Sequence, residues 1–267
     1  MFALEIPPSR DRRSARAFWY AEIDRLIGRL KALTGRRITR GRLRKAIDLC
    51  NRRTEVLRRI NRLRRAEQPP IRGIDVFVML QAAFLAAPAR WLELAEALLT
   101  ELEQRAAAGR GNRPRARLLL TGAPVLWPDF KLLQIVTEAG ADVVCDDLCS
   151  GTERLYHPTV VDEWTRRGLI RAVAEKALLP CDCPCFVGES RTLDRILERV
   201  NEYHVDGVLH HTQRLCQLYE IDAVNLGAEL RERGVPWLQV VAELDPEERA
   251  RLHTRIDAFV EMIAGQG

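Results

Sequence analysis

The second half of the chain alternates short apolar runs with segments of helical periodicity, and this alternation limits the folds open to it. The runs are bounded by Gly, Pro and Asp, which are typical of strand ends. They cover residues 117–122, 142–146, 206–210 and 235–241. Helical spacing fills residues 132–139, 161–179 and 191–203, the stretch to about residue 233, and residues 246–264. Strands that alternate with helices predict an α/β fold, a doubly wound parallel sheet of about four strands with right-handed crossovers and helices on both faces.

The first 110 residues show helical periodicity throughout. Helices are predicted over about residues 10–33, 39–63, 74–85 and 88–102. We therefore predict two domains, a helical segment at 1–112 and a Rossmann-like or flavodoxin-like lobe at 113–267. The apolar stripes of the helical segment need a partner surface, so we expect it to pack onto the lobe.

Composition narrows the class of protein. The chain has 267 residues, and it contains neither a long apolar run nor a secretory leader pattern, so we expect a cytoplasmic protein without a membrane span. In a reducing compartment, seven cysteines favour metal binding, catalysis or burial over disulfides.

Positive charge is concentrated at the N-terminal end. The first 67 residues hold 20 of the 42 Lys and Arg residues and only seven Asp and Glu. Such a surface is either a solvated helix face or a contact for a phosphate-bearing molecule, an acidic partner or nucleic acid. Its few aromatic residues argue against nucleic acid.

Six of the seven cysteines lie in the second half, next to Pro, Gly or Asp at predicted strand ends. Carboxyl ends of parallel strands meet at one edge of the sheet, where α/β proteins bind ligands. A soft-metal or iron–sulfur site is the leading hypothesis for these thiols, and plain burial is the alternative. The candidate metal ligands are Cys216, Cys149, Cys183 and Cys185, with Cys181 as the third member of the Cys-x-Cys-x-Cys run.

The other candidates have plainer roles. Cys50 lies mid-helix and Cys145 lies inside a strand, and we expect both to point into packed apolar surroundings. His210 and His211 end a strand near Cys216, where they either bind a cofactor or substrate carbonyl or cap the sheet edge. Asp146 and Asp147 are interpreted as helix-cap or loop carboxylates.

In their order along the chain, several motifs resemble the 2-hydroxyacyl-CoA dehydratase and benzoyl-CoA reductase family, which includes the double-cubane cluster proteins. The resemblance covers essentially the whole chain. Its motifs are Ile6-Pro7, Leu33-Thr34-Gly35, Pro69-Pro70-Ile71, Thr121-Gly122-Ala123-Pro124, Asp146-Asp147-Leu148-Cys149-Ser150-Gly151, Cys183-Pro184-Cys185, Val205-Asp206-Gly207 with Cys216 downstream, and Thr254-Arg255.

The resemblance implies a subunit of an oxygen-sensitive lyase or oxidoreductase that holds an iron–sulfur cluster, either [4Fe-4S] or a double cubane. In that family an ATP-dependent activator protein supplies low-potential electrons, and one electron on an acyl-CoA thioester gives a ketyl radical. Cys216 corresponds to the cluster cysteine of the family's C-terminal lobe. Full-length members carry a further α/β lobe with two more cluster cysteines, so we expect a second subunit or partner chain to complete the cluster. The alternative is a noncatalytic or truncated member that binds a metal or a partner.

Overall fold

The computed structural model describes residues 2–152, 156–180, 182–187, 191–242 and 248–265. Four helices come first: α1 (Arg13–Thr34), α2 (Arg40–Leu63), α3 (Gly73–Leu85) and α4 (Pro88–Ala107). Two of their boundaries follow from local chemistry. Gly35 ends α1 with φ of +66°, a conformation that suits glycine, and Pro88 opens α4 at a position where no N–H is needed.

Strands and helices then alternate. The strands are β1 (Arg117–Gly122), β2 (Asp142–Asp147), β3 (Gly207–Gln213) and β4 (Trp237–Ala242). The helices among them are α5 (Lys131–Glu138), α6 (Arg166–Leu178), α7 (Thr192–Glu202), α8 (Gln217–Glu232) and α9 (Arg249–Ala264). The strands form one parallel sheet in the order β2-β1-β3-β4. The predicted α/β fold with a parallel sheet of about four strands after a helical region is confirmed.

Helices cover the sheet on both faces, as predicted. On the first face α3, α5 and α9 bury residues such as Phe77, Ile135 and Phe259 against Leu118, Leu120 and Leu209. On the second face α7 and α8 bury Ile196 and Leu230 against Leu119 and Val208. Because adjacent strand residues alternate between the two faces, β1 is buried along its whole length.

A bulge in β2 changes which face its last residues reach. Leu118 pairs with Val143 but Leu119 pairs with Cys145, so Val144 is the extra residue. Val144 and Cys145 both pack on the second face. The extra residue reverses the alternation beyond it and sends the Asp147 side chain toward α7.

The chain divides into two compact units, and the division falls within α2. The first unit comprises residues 1–55 and 157–190, and the second comprises residues 56–156 and 191–267. In the first unit Trp19 packs against Ala174 and Leu178, and its indole N–H donates to the Ala174 carbonyl at 2.8 Å. The second unit contains the sheet. The predicted division into a helical segment at 1–112 and a lobe at 113–267 stays a prediction.

Among the described residues, no helix is long and apolar enough to cross a membrane.

Arg117, at the start of β1, holds several chain ends together in the second unit. Its buried guanidinium donates to the carbonyls of Arg64 and Ala66, just beyond α2, and of Tyr203 and His204, just beyond α7, at 2.8–3.1 Å. These carbonyls lie at the negative ends of two helix dipoles, where a cation is favourable. Burial lowers the pKa of Arg117 from its ordinary value.

Arg117→Met should destabilise the protein by about 3 kcal/mol, because it leaves buried carbonyls without donors. The measurement is urea unfolding followed by circular dichroism. Arg115→Met is the matched control, since Arg115 is half-exposed and lies 4.0 Å from its carboxylate partner Glu261. Equal free energies of unfolding for the two variants would contradict the proposed role of Arg117.

Candidate functional site at the carboxyl ends of the strands

The strands β1 and β3 approach closely at their carboxyl ends. Gly122 has φ of +102°, and a Cβ there would lie 2.1 Å from the His211 carbonyl oxygen. The Ala123 N–H donates to that same oxygen at 2.7 Å. The connection that leaves β1 runs to β2 and the connection that leaves β3 runs the opposite way to β4, so the carboxyl ends of β1 and β3 flank the topological switch point where doubly wound folds bind ligands. Only glycine fits at position 122.

His210 is fully buried on the second face of the sheet. Its Nδ1 lies 3.1 Å from the Thr212 hydroxyl, and its ring centroid lies 5.1 Å from that of Trp237. Its Nε2 has no hydrogen-bond partner among the described residues and lies 3.8 Å from Asp222 Oδ2 on α8. Asp146 Oδ2, at the end of β2, is a second buried polar atom of this site without a hydrogen-bond partner among the described residues.

His211 points to the other face and braces the strand end. Its Nδ1 lies 3.1 Å from the Ala123 carbonyl oxygen. Burial lowers the pKa of His211, so the ring is neutral near pH 7. The contact with Ala123 gives His211 the sheet-edge role that the sequence left open. Cofactor binding by His210 and His211 stays a prediction.

The end of β2 is fixed by an ionic cluster. The buried Asp147 carboxylate accepts a two-pronged contact from Arg195, at 3.1 and 3.0 Å, and a further bond from Arg199. Arg199 also donates to the Asp146 carbonyl at 2.8 Å. Arg195 and Arg199 are four residues apart on α7, so they share one helix face. Sequence reasoning missed both arginines, although their i,i+4 spacing was the available signal.

Side-chain hydrogen bonds of Asp146 and Ser150 fix the turn that carries Cys149. Asp146 Oδ1 accepts from the Thr152 N–H at 2.8 Å, and a Cβ at Gly151 would lie 1.9 Å from that same oxygen. The Ser150 hydroxyl accepts from the Val125 N–H at 3.0 Å. Burial raises the pKa of Asp146 above its ordinary value. Asp146 and Asp147 therefore act as structural carboxylates, and Cys149 stands exposed on a rigid turn.

Cys216 lies at the start of α8, directly after β3. It is half-buried and occupies the residue before the first helical turn. Its N–H donates to the Gln213 carbonyl at 3.1 Å, and its own carbonyl accepts from the Glu220 N–H at 3.0 Å. Leu215 before it has φ of +66°, which is strained for leucine. The backbone thus fixes the position of this thiol at the same sheet edge as Cys149.

Cys183 and Cys185 belong to the first unit. Cys183 is half-buried and Cys185 is exposed. The neighbouring Asp182 forms an ion pair of 2.7 Å with Arg10, and the Val187 N–H donates to the Pro8 carbonyl at 2.8 Å. Cys181 lies outside the described residues. Whether these thiols converge with Cys149 and Cys216 stays a prediction.

The two cysteines expected in apolar surroundings differ. Cys145 is buried between the sheet and α7, as predicted, and burial raises the pKa of its thiol to about 12. The prediction for Cys50 was wrong, because Cys50 is exposed. Helical spacing puts Cys50 on the same face of α2 as Thr54 and Leu57, which are buried, but the turn of α2 at Cys50 is less covered than the turns from Thr54 onward.

No group of three or more His, Cys, Asp or Glu side chains within the described ranges is arranged to hold a metal ion. The second unit places two thiols, Cys149 and Cys216, at one edge of the sheet. A cluster with the usual four thiolate ligands would need further ligands.

The similarity to known proteins extends over almost the whole chain. A family model described as 2-hydroxyglutaryl-CoA dehydratase, D-component, matches residues 1–263. The Escherichia coli protein named "Putative dehydratase subunit YjiM" is 27% identical over an alignment of 265 residues, and the match covers 97% of this chain and 67% of that protein.

Asp147→Asn should destabilise the protein by about 3 kcal/mol, because it leaves two partly buried guanidinium groups without their carboxylate. Urea unfolding gives the free energy. Glu198→Gln, an exposed change on the same helix, should cost well under about 1 kcal/mol. A loss no larger than that of the control would rule out the ionic cluster as a support of the β2 end.

Alkylation by iodoacetamide should separate the cysteines by exposure. In the folded protein between pH 7 and 9, Cys145 should remain unmodified because its thiol is buried and protonated, whereas Cys50, Cys149 and Cys185 should react. In urea Cys145 should react as well. Peptide mass spectrometry measures each site, and rapid labelling of Cys145 in the native state would contradict its placement.

Proposed function

We propose, because the chain belongs to the 2-hydroxyglutaryl-CoA dehydratase D-component family, that it is a subunit of an iron–sulfur 2-hydroxyacyl-CoA dehydratase or of a benzoyl-CoA-reductase-like enzyme. The substrate is a CoA thioester, and the enzyme class is lyase or oxidoreductase. The observation that carries the proposal is the position of Cys149 and Cys216, two thiols on rigid supports at the carboxyl edge of a parallel sheet.

Cys216 is the first candidate ligand of the cluster. It precedes the first turn of α8, where unpaired N–H groups and the helix dipole favour negative charge such as that of a thiolate-bound cluster. Cys149 is the second, since its turn is fixed by Asp146 and Ser150. Cys183 and Cys185 are the further candidates within this chain. When bound, the cluster supplies a low-potential electron to the thioester carbonyl of the substrate.

The protein's own residues provide position and surroundings. Gly122 lets the end of β1 lie close to the His211 carbonyl oxygen, which then accepts from the Ala123 N–H at 2.7 Å. The ion pairs of Asp147 with Arg195 and Arg199 fix the β2 end that leads to Cys149. Fixed ligand positions suit a cofactor whose geometry changes little during electron transfer.

The proposal includes two partner proteins. A second subunit completes the cluster, and an ATP-dependent activator delivers the electrons. The description of the matching family as the D-component of a dehydratase supports the second subunit.

A second candidate function is a noncatalytic family member that keeps the fold and binds a metal or a partner protein. The absence of a three-ligand group within the described ranges favours it. It predicts that the isolated chain binds little iron under any condition.

Cys216→Ser should lose most of the iron bound after anaerobic reconstitution with iron and sulfide, whereas Cys50→Ser should keep it. Cys50 is the matched control because it is an exposed thiol on α2. Iron and sulfide analysis of the chain, alone and co-expressed with the product of a neighbouring gene, provides the measurement. Iron content that is independent of Cys216 would favour the noncatalytic alternative.

A further inference from the structure

The segment of residues 36–45, here called the basic turn, concentrates exposed positive charge. It contains Arg36, Arg37, Arg40, Arg42, Arg44 and Lys45, and all six side chains belong to exposed residues. The sequence has no Asp or Glu from position 25 to position 47. Among these six cations, Arg44 lies 3.9 Å from the Asp48 carboxylate, and Asp162 and Glu163 precede Trp164 in the sequence. Like charges this close repel one another, so the basic turn favours a polyanionic ligand.

The basic turn is anchored in a defined conformation. The Arg166 side chain donates from Nε to the Ile38 carbonyl at 2.8 Å, and Arg42 donates from its guanidinium to the Arg37 carbonyl at 3.1 Å. The Thr39 hydroxyl accepts from the Arg42 N–H at 3.3 Å. Because the backbone of the basic turn is already held in place, less conformational entropy is lost when a ligand binds there.

An aromatic ring lies within this cluster of cations. Trp164 is 45% exposed, and the Arg44 guanidinium lies 5.4 Å from its ring centroid. Arg166, two residues later, reaches the basic turn through its bond to Ile38. An exposed indole can stack on a nucleobase, and base stacking on an aromatic side chain contributes roughly 1–3 kcal/mol. A flat aromatic group and several phosphates are the features of a phosphorylated nucleotide.

We propose that the basic turn and Trp164 bind the 3′-phospho-adenosine diphosphate part of the acyl-CoA substrate. The inference rests on the proposed function for the identity of the ligand as a CoA thioester. Arg36, Arg37 and Arg40 neutralise the phosphates, and Trp164 stacks on adenine. The chain has neither a GxxxxGK[ST] loop nor a GxGxxG turn, so side-chain cations rather than a backbone cradle hold the phosphates.

Charge and aromatic content favour CoA over nucleic acid. A single-stranded nucleic acid is bound along a groove with several stacking rings, whereas residues 36–45 contain no aromatic side chain and the ring in contact with them is that of Trp164. The 3′-phosphate and the diphosphate together carry about four negative charges, so a ligand of nucleotide size can engage several of these cations.

The test is binding of CoA to the full chain, measured by isothermal titration calorimetry at low and at moderate salt. The triple variant Arg36→Gln, Arg37→Gln, Arg40→Gln should weaken CoA binding at least tenfold, roughly the loss of one to two charge-assisted contacts. The matched control, Arg90→Gln with Arg105→Gln and Arg110→Gln, removes the same charge from exposed positions of the second unit and should bind CoA as the wild type does. Trp164→Ala should weaken binding, and Trp164→Phe should restore most of it.

Other probes identify the source of the adenosine phosphate. Dephospho-CoA should bind more weakly than CoA, and pantetheine should not compete. Unchanged CoA binding in the triple variant, or no CoA binding by the wild type, overturns the inference. ATP that binds as tightly as CoA overturns the assignment to CoA in favour of a free nucleotide, and a tighter oligoribonucleotide assigns the surface to RNA.

Iron content separates the two proposals. A chain that binds CoA through the basic turn but takes up no iron keeps this inference and loses the cluster. If the chain takes up iron through Cys216 but binds CoA independently of the basic turn, the cluster proposal is kept and the inference about the basic turn is wrong.

Discussion

The buried guanidinium of Arg117 joins several elements of the second unit. Arg117 begins the central strand β1, and its guanidinium satisfies carbonyls at the ends of α2 and α7 that no helical N–H can reach. Its backbone N–H donates to Asp206 at 2.7 Å, immediately before β3. One residue therefore sets the amino ends of two neighbouring strands and the end points of two helices. The carboxyl edge of the sheet, where the candidate ligands lie, inherits its register from these contacts.

The bulge in β2 is a second constraint, and it determines how the strand leads into the turn with Cys149. The extra residue Val144 turns Asp147 toward α7, and Arg195 and Arg199 then fix the strand end. Because of the same extra residue, the Asp146 side chain does not lie on the second face. It accepts from the Thr152 N–H instead and closes the turn around Cys149. A one-residue irregularity thus decides which carboxylate forms the ion pairs and which one organises the turn. Without it the two carboxylates would exchange faces.

Sequence patterns predicted what depends on local chemistry. The run of residues 117–122 was placed to the residue because Pro114 and Gly122 lie at the two ends of an apolar run, Leu118 to Leu120. The predicted start of α6 near residue 161 was early, because Thr165 caps the helix through the Gly168 N–H and α6 begins at Arg166. The roles of Arg117, Arg195 and Arg199 depend on tertiary partners that periodicity does not encode. The prediction for Cys50 was wrong because the helix face on which it lies is only partly covered by the rest of the protein. Periodicity does not show how much of a helix face is covered.

The arrangement of the thiols bears on what kind of site they form. Structural thiols are buried and protonated, as Cys145 is, and they need no fixed exposure. Cys149 and Cys216 instead follow strand ends on backbone that is hydrogen-bonded on both sides, and one of them comes after a leucine held at positive φ. Strained backbone persists only where surrounding contacts determine it, and it is concentrated at functional sites. The positive φ at Leu215 is therefore an observation, separate from the family resemblance, that supports the proposed role of Cys216 as a ligand.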